Sequence, residues 1–272
     1  MTFCWIDGQP ASQLSVKDRG LAYGDGFFET LLVKAGQPLL FSGHMHRLAV
    51  TGKRLAFALD LPLIESECRA FAHQMQEGVM KLIITRGDGL RGYAPVPGAR
   101  GVRILQASPL PAYPPSNAEH GVRLFPCRTR LAEQPLLAGL KHLNRLEQVL
   151  ARNEWHDTEH AEGLMRDTSG RIVEAVYSNL FLVKGGVLLT PDLSRCGVAG
   201  IMRAEVLRLG EQQNMAVRAL DLGMSDLRKA DEVFVCNSVY GIWPVREFEQ
   251  LNWPVGPVTR KLQHLARGLL DI

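Results

Sequence analysis

Gly139-Leu140-Lys141-His142-Leu143-Asn144-Arg145 and, further along, Val173-Glu174-Ala175-Val176-Tyr177-Ser178-Asn179-Leu180-Phe181 are the runs whose reading decides the fold. Lys141 follows Leu136-Leu137-Ala138-Gly139-Leu140, where apolar neighbours can desolvate an amine and keep part of it neutral and nucleophilic. Glu174 is flanked by valine and alanine, and an ionised carboxylate buried there needs a cationic partner. A protonated pyridine is such a partner. Taken singly, a lysine after leucines more often snorkels to water, and a lone glutamate more often sits on the polar side of a strand. Together, and with the anchors below, they point to one chemistry.

A lysine able to form a Schiff base and an acid able to keep a ring nitrogen protonated are what pyridoxal phosphate asks of a protein. The run Lys141-His142-Leu143-Asn144-Arg145-Leu146-Glu147-Gln148-Val149, followed by Glu174-Ala175-x-x-Ser178-Asn179-Leu180-Phe181, resembles the fold-type IV pyridoxal-phosphate enzymes, the class-IV aminotransferase family. Within that family it is more similar to the 4-amino-4-deoxychorismate lyases than to the D-amino-acid and branched-chain aminotransferases. The resemblance extends from Trp5-Ile6-Asp7-Gly8 to Val245. It implies a two-lobed α+β or α/β fold of the D-amino-acid aminotransferase type with the site at the lobe interface. It also implies pyridoxal 5'-phosphate as cofactor and a homodimer whose partner chain completes the site.

Composition sets compatible bounds. A chain of 272 residues with 46% hydrophobic and 22% charged residues has volume for one large or two medium domains. The net charge of +3 comes from scattered lysines and arginines, so neither nucleic acid nor a membrane surface is an expected partner; a small anionic substrate is. The five cysteines are odd in number and widely spaced, which reads as reduced thiols in a cytoplasmic protein. The N-terminal run resembles no secretory signal, and no stretch is apolar enough to span a bilayer.

Alternation at Phe27–Val33 predicts a strand, and the apolar spacing from Met45 through Leu59 predicts a helix with Ser42 as its N-cap. A second helix is expected around Ile64–Met75, and strands at 79–85 and 101–107. The proline-rich stretch 108–121 reads as a linker, separating an N-terminal α/β lobe, 1–107, from a C-terminal lobe, 122–272, that carries the lysine. In that lobe strands are expected at 122–126, 162–165, 172–176, 179–183, 187–190 and 232–237. Helices are expected at 145–155, from Gly200, and at 258–270.

Gly197-Val198-Ala199-Gly200-Ile201-Met202 is a glycine-rich entry to a helix, the kind of site where backbone N–H groups bind a phosphate. The resemblance assigns phosphate contacts to Gly200, Ile201 and Met202. It assigns Arg47, within His44-x-x-Arg47-Leu48, to the same role, and Asn237-Ser238 to the cofactor more loosely. It makes Arg91 and Tyr93 of Arg91-Gly92-Tyr93 substrate carboxylate ligands, with Phe28 beside them where D-amino-acid enzymes carry a tyrosine. Lys141 and Glu174 are the implied catalytic residues, with His142 and Asn144 as neighbours. The reaction implied is elimination of enolpyruvate from 4-amino-4-deoxychorismate, giving 4-aminobenzoate and pyruvate; a transaminase on the same scaffold is the rival.

Two motifs compete weakly. Gly87-x-Gly89-x-x-Gly92 fits a dinucleotide fingerprint, but Tyr93-Ala94-Pro95-Val96-Pro97 cannot open the required helix. His156-Asp157-Thr158-Glu159-His160 fits a zinc-hydrolase pattern, yet lacks the apolar stripe that would bury a catalytic helix, and no metal is expected.

Overall fold

Period-two hydrophobicity early in the chain and buried runs later build two sheets, each covered by its own apolar core. The structure, a computed structural model, describes residues 3–96 and 98–270. The chain divides into two units: one is the chain to Pro111 with Leu140–Asn144, the other Ala112–Gly139 with the chain from Arg145 onward.

The first unit holds β1 (Cys4–Ile6), β2 (Gln9–Pro10), α1 (Arg19–Tyr23), β3 (Gly26–Lys34), β4 (Gln37–Pro38), α2 (Phe41–Arg54), α3 (Leu61–Met75), β5 (Gly78–Thr85) and β6 (Val102–Ser108). Its six-stranded sheet runs β2-β1-β6-β5-β3-β4, with β3 antiparallel to β5 along its whole length. Phe27, Leu31 and Val33 on one face of β3 pack with Leu48 of α2 and with Ile64, Cys68 and Phe71 of α3. The strand exists because that alternation has helices to bury it.

Ser42 does not cap α2. The helix opens two residues earlier, with Leu40 at the cap position in a left-handed conformation and no side-chain cap. The predicted helix also overruns: α2 stops at Arg54, and Ala56 at φ 53° turns the chain back. Leu59 then lies against Gly52, where a Cβ would fall 2.3 Å from its Cδ1. Helical spacing persists beyond the helix because the returning chain serves the same core.

The second unit holds α4 (Ser116–Glu119), β7 (Val122–Leu131), α5 (Leu146–Arg152), β8 (His160–Asp167), β9 (Ile172–Ala175), β10 (Asn179–Lys184), β11 (Val187–Pro191), α6 (Ile201–Gln212), β12 (Val217–Leu220), α7 (Met224–Arg228), β13 (Glu232–Asn237), β14 (Gly241–Phe248), β15 (Leu251–Asn252) and α8 (Pro257–Leu270). Its sheet of nine strands runs β12-β11-β10-β13-β14-β7-β8-β9, with β15 on β14. β10 and β13 are buried throughout their centres, and Phe181 stacks on Phe234 across them at 5.0 Å. α5 is shorter than the 145–155 run predicted, ending at Arg152. β14 matched no sequence expectation, because Pro244 interrupts its apolar run.

The sequence assigned Lys141 to the C-terminal lobe. Its segment Leu140–Asn144 instead joins the first unit, where Phe28 N–H donates to the Lys141 carbonyl at 2.9 Å and Leu143 N–H to the Gly26 carbonyl at 3.0 Å. These bonds form an isolated antiparallel bridge between Phe27 and His142. Asn144 Nδ2 also donates to the Gly24 carbonyl at 3.1 Å. The segment thus satisfies its backbone on the start of β3.

Candidate active site

Lys141 is half-buried, and its Nζ lies 4.5 Å from the centroid of the Phe28 ring. The Nζ of Lys81, on β5, lies 4.9 Å from the same ring, and burial pushes that amine's pKa down. One aromatic ring thus neighbours two lysine amines, an arrangement that offers an anionic ligand two cations. Lys81 was not foreseen. Its signal was a lysine inside a strand that otherwise reads as buried.

On the other face of β3, Glu29 is buried and accepts three charge-assisted or imidazole hydrogen bonds: Arg47 Nε at 2.8 Å, Arg47 Nη2 at 2.5 Å and His44 Nδ1 at 2.7 Å. Burial alone would raise the Glu29 carboxyl, but the Arg47 guanidinium and the His44 bond outweigh it and hold it at about 2. Burial lowers the pKa of His44; its Nδ1 donates to the Glu29 carboxylate, and its buried Nε2 makes no hydrogen bond. Arg47 is therefore present as a partly buried, pre-oriented cation, fixed along one edge by Glu29.

Arg91 and Tyr93 lie on the loop after β5 with both side chains exposed, Tyr93 at 85%. The Tyr93 ring meets that of Tyr23 at 5.4 Å. Gly87, Gly89 and Gly92 belong to this loop, which leads into β6 and not into a helix, as expected of a false dinucleotide motif.

In the second unit Glu174 lies on β9 and is 4% exposed. Its Oε2 accepts the Val198 N–H at 2.8 Å, and Gln148 Nε2 approaches Oε1 at 3.5 Å. Gly197, at φ 85°, permits this approach: a Cβ there would lie 2.7 Å from Val173 Cγ1 and 3.3 Å from Glu174 Oε2. α6 begins at Ile201 with Gly200 at its cap and no side-chain cap, so its first N–H groups form an anion-ready terminus.

Asn179, at the start of β10, holds that entry from both sides: Gly200 N–H donates to Oδ1 at 3.1 Å and Nδ2 donates to the Val198 carbonyl at 2.8 Å. A Cβ on Gly200 would fall 2.0 Å from Asn179 Oδ1, which explains the glycine. The turn before β10 is fixed by Glu162, fully buried on β8, which accepts N–H bonds from Gly163, Val176 and Tyr177 and the Ser178 hydroxyl at 2.7 Å. Burial pushes its carboxyl up to about 8 against the pull of those donors. Ser178 and Asn179 were quoted in the sequence only as parts of a motif. Their bonds show what the motif does mechanically.

Asn237 turns its Oδ1 onto the N–H groups of Val239 and Tyr240, at 2.9 and 3.0 Å, and so shapes the turn that carries Ser238. The His156–His160 run folds as a loop entering β8 and not as a helix. Its Glu159 pairs with Arg123 and its His160 with Asp157, and no cluster able to hold a metal ion occurs among the described residues. Among them no helix is long and apolar enough to cross a membrane.

The donor set suits a group with a protonated ring nitrogen and a phosphate: a buried carboxylate on one side, an uncapped helix terminus held by Asn179 on the other. Comparison with known proteins gives the same picture. The family model for amino-transferase class IV matches residues 26–248. Aminodeoxychorismate lyase of Vibrio harveyi is 36% identical over 265 residues, covering 95% of this chain and 97% of the relative. The crystal structure of 4-amino-4-deoxychorismate lyase from Pseudomonas aeruginosa superposes with TM-score 0.98 at 59% identity, covering 99% of this chain and all of that one. The branched-chain amino acid aminotransferase of Escherichia coli superposes with TM-score 0.85 at 27% identity over 98% of this chain and 94% of its own.

Proposed function

The chain belongs to the class IV aminotransferase family, and from that premise we propose that it is a pyridoxal-5'-phosphate-dependent lyase converting 4-amino-4-deoxychorismate to 4-aminobenzoate and pyruvate. The observation that carries the lyase reading over a transaminase is the likeness to the Pseudomonas lyase along the whole chain. Phe28 agrees with it, since it leaves no phenol at the position where the D-amino-acid enzymes place one. The reaction would supply 4-aminobenzoate for folate synthesis in a reducing cytoplasm, consistent with the free cysteines.

When bound, the cofactor supplies an aldehyde for the substrate amine and an electron-withdrawing ring. The protein's residues do the rest. Lys141 would hold the cofactor through its aldehyde, and its Nζ would serve as the base for the proton on the carbon bearing the substrate nitrogen. Glu174, fixed by Val198 N–H, would hold the ring nitrogen and keep it protonated. Gly200, Ile201 and Met202 offer backbone to the phosphate and Arg47 offers charge. Asn237 and Ser238 contribute through their turn. Lys81, whose Nζ lies over the Phe28 ring, and Arg91 and Tyr93 of the loop after β5 would receive the substrate's two carboxylates. Cleavage of the carbon–oxygen bond releases enolpyruvate, which becomes pyruvate on protonation, while the remaining ring becomes aromatic.

We place the active protein in a homodimer, supported by the apolar side chains that α5 and the preceding turn expose: Leu136, Leu146, Val149 and Leu150. Purified protein supplied with 4-amino-4-deoxychorismate should yield equal amounts of 4-aminobenzoate and pyruvate. D-alanine and L-leucine, each with 2-oxoglutarate, should give little oxo-acid exchange. Transamination without aromatic product would overturn the lyase reading and leave the family intact.

A further inference from the structure

The loop that carries Arg91 and Tyr93 is wrapped around a buried guanidinium. Arg19 opens α1 and is 4% exposed. Its Nη1 donates to the Gly92 carbonyl at 3.1 Å and its Nη2 to the Tyr93 carbonyl at 2.6 Å, while Nε donates to Asp25 Oδ2 at 2.8 Å. Asp25 is shared: Arg86 Nε bonds both its oxygens at 3.0 Å and spends its remaining donors on the carbonyls of Ala56 and Leu55. The aliphatic stem of Arg19 is covered by Gly89, where a Cβ would lie 2.7 Å from Cγ and 2.8 Å from Cδ.

α1 is itself pinned to the end of β5. Asp18 caps the helix through Oδ1, and its Oδ2 accepts the Thr85 hydroxyl at 2.6 Å. Arg19 N–H bonds the Gly87 carbonyl at 2.9 Å, Gly89 N–H the Lys17 carbonyl at 3.1 Å, and Ser15 Oγ the Asp88 carboxylate at 2.9 Å. The loop therefore leaves β5, folds round one side chain, and presents Arg91 and Tyr93 to solvent while the carbonyls of Gly92 and Tyr93 are tied down behind them. Two carbonyls bound by one rigid fork fix the position of the chain between them, which a lysine's single ammonium cannot do.

We propose that Arg19, whose guanidinium is bonded to Asp25 and to loop carbonyls, is the positioning residue of the substrate loop, holding Arg91 and Tyr93 where they meet the substrate's carboxylates. The proposal rests on the reading that Arg91 and Tyr93 bind those carboxylates. Substitution at Arg19 then acts on KM through Arg91 and Tyr93 and leaves the cofactor's surroundings alone.

The test uses the cofactor-loaded enzyme and the variant R19K, with G89A as an independent route to the same disturbance, because its methyl displaces the Arg19 stem. Three measurements are made: amide hydrogen exchange of residues 87–95, the absorption spectrum of the bound cofactor, and KM and kcat. Both variants should speed exchange in the loop, leave the spectrum unchanged, and raise KM about tenfold with kcat within about twofold, the size expected for loss of a charged hydrogen-bond pair. Placed on an R91A/Y93F background, R19K should change KM no further. Unaltered exchange in both variants overturns the latch whatever the substrate. Faster exchange with unaltered KM, or an equal rise in KM on the R91A/Y93F background, overturns the positioning role. If the parent enzyme fails to turn over 4-amino-4-deoxychorismate at all, the lyase reading fails instead, and the exchange result still decides whether the latch exists.

Discussion

Replacing Glu29 by glutamine should destabilise the first unit by about 3 kcal/mol at neutral pH, and the loss should fade in acid. The carboxyl falls from its ordinary value of 4.5 to about 2 in the folded chain, because the Arg47 guanidinium and His44 overcome the cost of burial. A depressed acid stabilises the fold fully above its unfolded pKa and loses that contribution as pH falls through its folded pKa. The shift corresponds to about 3 kcal/mol above pH 5 and, worked through the same linkage, to roughly half of that at pH 3. Leaving a buried guanidinium without its carboxylate gives an independent figure of about 3–5 kcal/mol. In a chain of this size a loss of that order lowers Tm by roughly 6–12 °C. Urea unfolding of native enzyme and E29Q at pH 7 and pH 3 measures both the loss and its pH dependence. A difference under about 1 kcal/mol at pH 7, or one that grows toward pH 3, would refute the reasoning.

Lys141→Ala should abolish turnover, and borohydride reduction of native enzyme should place a pyridoxyl group on the peptide containing residue 141 and no other, as read by mass spectrometry. Glu174→Ala should reduce kcat at least about a hundredfold while the protein still folds, measured by 4-aminobenzoate fluorescence; full activity would remove its role at the ring nitrogen. Asn179→Ala frees the Gly200 N–H and the Val198 carbonyl together and should weaken cofactor binding about tenfold in equilibrium dialysis. Dialysis against a chelator should leave activity unchanged, whereas dialysis against a carbonyl reagent that consumes the aldehyde should remove it.

Sequence reading was most successful where local chemistry and periodicity agreed. β13 and the helix opening after Gly200 appear where they were expected, because continuous apolar runs and a glycine entry are local signals. It faltered where distant residues decide. Leu59 continued a helical pattern from outside α2 because it packs on Gly52, and β14 hid behind Pro244. The Glu29–Arg47–His44 cluster joins a strand to a helix, and nothing in the spacing of those residues marks Glu29 as Arg47's counterion. Lys81 and Phe28 meet only through strand register, with Lys81 opposite Thr30 and Phe28 opposite Ile83. Asn179 stands in the sequence as a motif letter and Glu162 only as the first residue of an expected strand; their work on the turns at 176–178 and 198–200 exists only in three dimensions.

The return of Leu140–Asn144 to β3 has a consequence for biosynthesis. The first unit is not complete when its last N-terminal residue leaves the ribosome, because the piece that carries Lys141 is translated only after part of the second unit has been made. Nascent chains shorter than about that length must therefore hold the edge beside Phe28 open, and a fragment ending at Pro111 would be born without Lys141.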